Sequence, residues 1–176
     1  MGMTQLDDAM WEMAAQVIRD ASAQGIRLGT AESCTGGLVA GALTAVPGSS
    51  AVVRGGIVSY DPDVKHDVLG VHRAIIDDPA LGVVSYDCAI EMCDGARKVL
   101  SCDVAVSVTG IAGPGGAEPG KPVGTVWFGL ATPKHTRAEC CCFAGDRAAV
   151  RERAVIHALE LLREGIEELS NVALGD

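Results

Sequence analysis

Aromatic residues are scarce in this chain of 176 residues, since phenylalanine, tryptophan and tyrosine together make up only 3% of it. Basic residues are outnumbered as well, with 14 lysines and arginines against 23 aspartates and glutamates and a formal net charge of −9. Proteins that bind nucleic acids in general present a basic surface and aromatic side chains that stack on bases. The composition therefore argues against a general nucleic-acid-binding protein.

Long apolar runs are also missing. No stretch reaches the ~18 residues that indicate a transmembrane helix, and residues 1–8 lack the basic segment typical of a signal peptide. The sequence therefore predicts a cytoplasmic protein without a membrane span. Its length and its 48% of hydrophobic residues fit one domain, residues 1–176, with a sizeable core.

The chain has seven cysteines but no CxxC pair. An odd number of cysteines in a reducing compartment predicts free thiols. Three of them are consecutive, Cys140-Cys141-Cys142, in a strand-like segment where neighbouring side chains face opposite sides of a sheet. We interpret this run as apolar strand positions, with metal binding as the alternative, and no cluster has the spacing of metal ligands. We expect no metal and no cofactor.

The hydrophobic periodicity predicts helices alternating with strands, followed by a β-hairpin. Helices are predicted at 6–21, 36–46, 63–69, 85–100 and after Asp146. Strands are predicted at 26–31, 55–60, 103–108, 124–131 and 136–143, and segment 71–84 is predicted to be mostly loop. Thr4 is expected to cap the first helix and Gly25 to end it. This order predicts a three-layer α/β/α fold, with a mixed sheet and helices on both faces.

One turn, residues 30–38, concentrates the reactive side chains of the chain. It joins the first strand to a short helix and contains Ser33, Cys34, a carboxylate, two threonines and two glycines. Glycines let a ligand approach the backbone, and the following helix start offers free N–H groups and the positive end of a dipole. The layout suits a nucleophile beside an anion pocket. A capped helix packed by small residues would show the same spacing.

The second dense segment is the loop 109–125, which follows a strand directly. Ligands of open α/β sheets gather at the carboxyl ends of strands, and Ser33, Tyr60 and Thr109 each follow a different predicted strand. We therefore expect one site there. The loop also contains Gly115-x4-Gly120-Lys121, which begins like a phosphate-binding P-loop. Proline stands where that motif needs serine or threonine, and a strand follows instead of a helix, so we reject a nucleoside triphosphatase.

A serine nucleophile needs a base, and three residues are close enough in sequence to supply one. They are Lys65, His66 and His72, and spacing alone favours a solvated surface lysine over a basic catalyst at position 65. Cys34 is an alternative nucleophile, because a helix N-terminus lowers the pKa of a thiol.

Two arginines are candidate anion ligands. Arg147 begins the last helix and either binds a phosphate or pairs with Asp146, and Arg54 precedes two glycines.

Several motifs resemble, in their order, those of the CinA C-terminal domain family. They are Ala31–Gly37 (AESCTGG), Gly48–Ser50 (GSS), Gly56–Tyr60 (GIVSY) with Lys65, Thr109–Pro114 (TGIAGP), Lys121–Val126 (KPVGTV) and Gly145–Arg147 (GDR). The resemblance covers nearly the whole chain, about residues 5–168. Members of this family hydrolyse the carboxamide of nicotinamide mononucleotide, without a metal, in the recycling of pyridine nucleotide toward NAD.

The resemblance implies roles for individual residues. Ser33 matches the nucleophile of the family, Lys65 its base and Tyr60 its active-site tyrosine. The substrate-binding positions that it implies are Glu32, Thr35, Gly36, Gly37, Thr109, Gly110, Gly113 and Arg147. The expected partner is a small-molecule nucleotide, and relatives assemble, which predicts a homo-oligomer. The alternative is a catalytically silent nucleotide-binding or competence-linked regulatory module of the same fold.

Overall fold

A computed structural model of the chain describes the backbone of residues 5–173 and the surroundings of side chains 8–171. The helices are α1 (Gln5–Gln24), α2 (Leu38–Thr44), α3 (Pro62–Leu69), α4 (Arg73–Ile76), α5 (Tyr86–Val99) and α6 (Arg147–Ala173). The strands are β1 (Leu28–Glu32), β2 (Val53–Val58), β3 (Val104–Gly110), β4 (Thr125–Ala131) and β5 (Thr136–Cys142), and a 3-10 turn covers Ser49–Ala51.

The five strands form one mixed sheet in the order β2-β1-β3-β4-β5. Strand β1 is parallel to both β2 and β3, whereas β3–β4 and β4–β5 are antiparallel pairs. The chain needs helices to cross between parallel strands, and a short turn is enough for the final hairpin. The mixed sheet and the late hairpin that the periodicity predicts are therefore confirmed.

Two apolar cores lie on opposite faces of the sheet. The larger core contains buried residues of α1, α2 and α6, such as Val17, Leu43 and Leu159. The smaller core lies under α3 and α5 and contains Leu69 and Met92. Because both faces of the sheet are covered, β3 is buried along almost its whole length. The predicted three-layer α/β/α fold is confirmed.

Several boundaries differ from the prediction. The first two strands are Leu28–Glu32 and Val53–Val58 rather than 26–31 and 55–60, so that Tyr60 lies two residues beyond its strand. The segment 71–84 contains the one-turn helix α4. Asp61 is the N-cap of α3, because its side chain accepts from the N–H of Asp63 at 2.8 Å and proline occupies the first helical position.

The ends of the long helices agree better with the sequence. Gly25, in a left-handed conformation with φ 66°, follows the last residue of α1, as expected. Asp146 accepts from the N–H of Ala149 at 2.9 Å and so caps α6. The predicted cap Thr4 lies outside the described residues. Between residues 5 and 173, none of the helices combines the length and the apolar composition that a membrane span requires.

Candidate active site

The carboxyl ends of β1, β2 and β3 meet at one edge of the sheet, and the turn after β1 lies in the middle. The N–H of Ser33 donates to Val108 O of β3 at 2.9 Å, and the N–H of Ser59, just after β2, donates to Glu32 O at 2.8 Å. These bonds extend the parallel pairing one residue past the strands. The geometry therefore places residue 33 between its two neighbouring strands.

The side chains of Ser33 and Lys65 are in contact at this edge. Nζ of Lys65, on α3, lies 3.0 Å from Oγ of Ser33 and also donates to the backbone carbonyl of Ser59. Lys65 is only 1% exposed and is among the largest of the fully buried side chains. The preference for a solvated surface lysine, drawn from spacing alone, is therefore wrong.

Burial sets the charge of the lysine. Removing the amine from water lowers the pKa of Lys65 below its usual value, and the thiols of Cys88 and Cys34 and the carboxylate of Asp61 oppose this effect only in part. No carboxylate forms a salt bridge with Lys65 in the described chain. A buried amine with a lowered pKa and a hydroxyl at 3.0 Å has the arrangement of a base beside a nucleophile.

The neighbouring carboxylate, Glu32, occupies the start of α2. Its Oε2 accepts from the N–H groups of Gly37 and Val39 at 3.0 and 3.1 Å, and its Oε1 accepts from that of Ala40 at 2.8 Å. The expectation of free N–H groups at this helix start is therefore wrong, because the chain supplies its own anion. Glu32 is 1% exposed and both of its oxygens accept from the backbone of α2, so that its contact with a substrate stays a prediction.

Replacing Glu32 with glutamine should lower the free energy of unfolding by about 2 kcal/mol or more, because a neutral amide then faces donors that bound a carboxylate. Urea unfolding followed by circular dichroism measures the change. The matched control is Glu12→Gln on the exposed part of α1, which should move the midpoint little. Equal midpoints for the two variants would contradict the capping role.

A residue that the sequence analysis did not single out, Arg151, holds the nucleophile turn from α6. Its Nε donates to Cys34 O and its second terminal nitrogen to Thr35 O, both at 3.0 Å. The N–H and C=O of a trans peptide point in opposite directions, so holding Cys34 O also fixes the direction of the Thr35 N–H. Only one feature of the sequence points to Arg151, namely its position four residues after Arg147 near the start of the same helix.

Tyr60 and Arg147 contact each other rather than the serine–lysine pair. A terminal nitrogen of Arg147 donates to the hydroxyl of Tyr60 at 3.2 Å, and the other donates to Gly113 O at 3.0 Å. Tyr60 is 60% exposed, and within the described chain its hydroxyl bonds to no other protein group. A cleft of ≈ 480 Å³ lies beside Arg147 and is lined by Ala112, Pro114 and Val123 of the loop 109–125 and by Gly145, which precedes α6.

Five of the other predicted substrate-binding residues help to shape the site, and their contact with a substrate stays a prediction. The buried hydroxyl of Thr109 donates to Val83 O at 2.6 Å. A side chain at Gly110 would come within 2.7 Å of Thr125 O, and one at Gly113 within 2.6 Å of Val123. Gly36 and Gly37 stand in the left-handed region, with φ of 63° and 94°, where a side chain would be strained. These glycines shape the backbone of the site.

Two buried hydroxyls remain beside the reactive pair. Thr35 Oγ1 and Ser59 Oγ are fully buried and have no hydrogen-bond partner among the described residues. Thr35 belongs to the predicted substrate-binding set, but Ser59 does not. A buried hydroxyl without a partner is uncommon, which makes both groups candidates for contacts with a ligand or a water molecule.

The alternative catalysts considered from the sequence do not contact Ser33. His66 bonds to Val71 O at 2.8 Å, and His72 pairs with Glu91 at 2.6 Å. Burial raises the pKa of Cys34 to about 11, so that its side chain is a thiol packed in the larger core.

Arg54 donates to a backbone carbonyl, Leu100 O, at 3.1 Å. Lys121 of the rejected P-loop bonds to Leu81 O at 2.6 Å and so fastens its loop to the preceding segment.

The sheet between two helical layers and the serine–lysine pair at its parallel carboxyl edge define an α/β protein with a serine–lysine type of site. The profile described as the CinA C-terminal domain matches residues 10–166. This chain belongs to the CinA C-terminal domain family.

Individual relatives and a solved structure agree with this assignment. The chain is 43% identical over 159 residues to the nicotinamide-nucleotide amidohydrolase PncC of Escherichia coli strain K12, a match that covers 89% of this chain and 94% of the relative. The crystal structure of the competence/damage inducible protein CihA from Agrobacterium tumefaciens superposes with a TM-score of 0.87 at 39% identity, over 93% of this chain and 99% of that one. Other curated relatives are longer. A match to a Caldanaerobacter subterraneus protein, 43% identical, covers only 37% of that relative.

Proposed function

We propose that this chain hydrolyses the carboxamide of nicotinamide mononucleotide to nicotinic acid mononucleotide and ammonia, a step in the recycling of pyridine nucleotide toward NAD. The observation that carries the proposal is the 3.0 Å contact between Ser33 Oγ and a buried lysine amine whose pKa is lowered. The near full-length similarity to an enzyme named for nicotinamide-nucleotide hydrolysis supplies the substrate.

In the first half of the reaction Ser33 Oγ attacks the carboxamide carbon, and its proton passes to neutral Lys65. The tetrahedral intermediate then breaks its C–N bond. Lys65 returns the proton to the leaving nitrogen, which departs as ammonia, and an ester to Ser33 remains. In the second half water attacks the ester carbon and gives its proton to Lys65. Cleavage of the C–O bond, with return of the proton to Ser33, releases the carboxylic acid.

The oxyanion of the intermediate needs a donor, and the turn offers few. The N–H of Ser33 donates to β3, that of Gly36 to Ser33 O, and that of Gly37 to Glu32. The N–H groups of Cys34 and Thr35 are not taken up by a backbone acceptor of the described chain. Arg151 fixes the direction of the Thr35 N–H through the adjacent carbonyl, so we assign the Thr35 N–H as an oxyanion donor.

The phosphate of the substrate is assigned to Arg147. The N-terminus of α2 is filled by Glu32, which removes the other candidate that the sequence offered. Arg147 borders the ≈ 480 Å³ cleft and forms no salt bridge among the described residues. Its contact with Tyr60 gives the tyrosine a positioning role in phosphate binding rather than proton transfer.

Arg147→Ala should therefore raise KM for nicotinamide mononucleotide by about 10–100-fold, the loss expected for a charge-assisted pair, with a smaller change in kcat. The matched substrate is nicotinamide riboside, which carries the same amide without the phosphate. Its kcat/KM should be nearly the same for the variant and the unchanged enzyme. An equal loss for both substrates would place the phosphate elsewhere.

The proposal as a whole is tested by incubating the purified protein with nicotinamide mononucleotide and measuring ammonia together with chromatographic detection of the nucleotide acid. Equal amounts of both products are expected. Calorimetric binding of the nucleotide without any product would instead favour the silent nucleotide-binding module. Salt-sensitive binding of DNA at micromolar protein, without turnover, would favour the competence-linked alternative. The single domain, the cytoplasmic location and the homo-oligomer stay predictions.

A further inference from the structure

A second group of chemically reactive side chains lies on the opposite edge of the sheet from β2. It consists of Glu139 and Cys141 on β5 and His157 on α6, whose ligand atoms all lie within 4.8 Å of one another. Nε2 of His157 is 2.6 Å from Glu139 Oε1 and 3.7 Å from Cys141 Sγ. We propose that these three residues bind a Zn²⁺ ion, or a divalent ion of similar preference, that joins the edge strand to the last helix.

The side chains of β5 alternate between the two faces of the sheet. Side chains two residues apart in a strand share a face, so Glu139 and Cys141 both point toward α6, whereas Cys140 and Cys142 are exposed on the other face. Cys141 packs against the larger core, as the interpretation of the run as apolar strand positions expects, whereas Cys140 and Cys142 are exposed. The thiol of Cys141 also lies 3.7 Å from an imidazole nitrogen.

The distances between the three ligand atoms are close to those of a zinc site. With zinc–ligand bonds of about 2.0–2.3 Å, tetrahedral geometry separates two ligand atoms by about 3.3–3.6 Å. The sulfur–nitrogen distance of 3.7 Å nearly meets this requirement. The oxygen–nitrogen distance of 2.6 Å is that of a hydrogen bond, and the half-exposed Glu139 side chain needs to move by less than ~1 Å to admit an ion.

The ring of His157 is held with one nitrogen toward β5. Its other nitrogen, Nδ1, faces Glu160 Oε2 at 3.3 Å, the arrangement of a carboxylate that holds a metal-binding imidazole from behind. The ring also packs edge-on against Phe128, with centroids 4.6 Å apart. Nε2 is thereby held toward β5. A thiolate, a carboxylate and a neutral imidazole bring two negative charges to a divalent ion and leave a fourth position open to water.

The cation Arg137 lies close to this group and has to be accommodated. It contacts Glu139 Oε2 at 3.1 Å, on the oxygen that does not face His157, and it also pairs with Glu164. Its charge is therefore shared with a second carboxylate, and its contact with Glu139 fixes the orientation that leaves Oε1 toward the histidine.

The test uses the full chain, purified with chelator and under reducing conditions, and titrated with Co²⁺ and then Zn²⁺. One equivalent of Co²⁺ should produce a thiolate-to-cobalt charge-transfer band, which Zn²⁺ should abolish by displacement. Cys141→Ser should remove the band, His157→Gln should remove stoichiometric binding, and Glu160→Gln should weaken Zn²⁺ binding by about tenfold. The matched control is Cys140→Ser, which changes the adjacent thiol on the opposite face and should leave the titration unchanged.

Thermal unfolding separates loss of the site from loss of the fold. Cys141→Ser should unfold at the same temperature as the unchanged protein when both are metal-free, and only the unchanged protein should gain stability on adding Zn²⁺. If Zn²⁺ binds weakly, without a fixed ratio, and equally to Cys141→Ser, then it is an adventitious ion only and the proposal is overturned. A charge-transfer band that disappears in Cys140→Ser instead would overturn it as well. Deamidase activity enters none of these readouts, so the proposal stands or falls independently of the proposed reaction.

Discussion

Replacing Ser33 with alanine should lower kcat/KM for nicotinamide mononucleotide by about 10⁴-fold or more, because Ser33 Oγ, the hydroxyl in contact with Lys65, forms the covalent intermediate of the proposed reaction. The fold should survive, since Ser33 is only half-buried and its backbone N–H, which pairs with Val108 O, is kept. Ammonia release over several hours measures the loss. Circular dichroism and thermal unfolding confirm that the variant is folded.

The matched control for Ser33→Ala is Cys34→Ala, one residue along the same turn. The thiol of Cys34 is buried in the larger core, and its pKa, raised to about 11, leaves it protonated and poorly nucleophilic at neutral pH. This variant should keep its activity within about fivefold, with a loss of stability of about 1 kcal/mol from the removed sulfur. An inactive Cys34→Ala beside an active Ser33→Ala would reverse the assignment of the nucleophile.

Replacing Lys65 with methionine, which keeps the apolar stem and removes the amine, should lower kcat/KM by about 10²–10⁴-fold, the range expected for loss of a general base. In the unchanged enzyme the neutral amine is the active form. Activity should therefore rise with pH up to the lowered pKa of Lys65 and level off above it. Lys65→Arg should not restore the activity, because a guanidinium stays charged throughout this range.

Replacing Lys65 with methionine should also change how the free energy of unfolding depends on pH. The folded-state pKa of Lys65 lies below its unfolded-state pKa, so between these two values the unfolded chain binds more protons than the folded chain. The free energy of unfolding of the unchanged protein should therefore rise with pH across this window, relative to that of Lys65→Met. The exposed lysine variant Lys98→Met is the control and should show no such relative slope.

Denaturant unfolding of the three proteins between pH 6 and pH 10 measures this slope. If the difference in the free energy of unfolding between Lys65→Met and the unchanged protein stayed constant with pH, the pKa of Lys65 would not be lowered in the folded protein. A pH–rate profile of Lys65→Met that keeps the level of the unchanged enzyme would remove the lysine as the base.

Much of the fold follows from local patterns. The amphipathic spacing of α1, α5 and α6 and the alternation of the β4–β5 hairpin are properties of short windows, so periodicity finds them. The prediction begins the edge strand β2 two residues too late, because Gly55 and Gly56 lie inside the strand, whereas glycines usually indicate a turn or the end of an element. Helix α4 was missed because it has only four residues and none of them is buried.

The site shows the limit of local patterns more sharply. The glycine-rich turn and its serine are evident in the sequence, but the distinction between Lys65 and His66 depends on which side of α3 faces Ser33. Only the packed helix decides that. The capping role of Glu32 is not evident from the sequence, because the carboxylate accepts from N–H groups five to eight residues further along, and only the packed turn brings them together.

The hold of Arg151 on the nucleophile turn has a consequence for how the protein is made. The two hydrogen bonds join residues 117 and 116 positions apart, so the backbone around Ser33 takes its final shape only after most of the chain exists. During synthesis the serine, the lysine and their strands emerge from the ribosome well before the last helix. A nascent chain that ends before residue 151 contains both reactive side chains but lacks the guanidinium that orients the turn, so catalytic competence should arrive with the last helix rather than with the nucleophile.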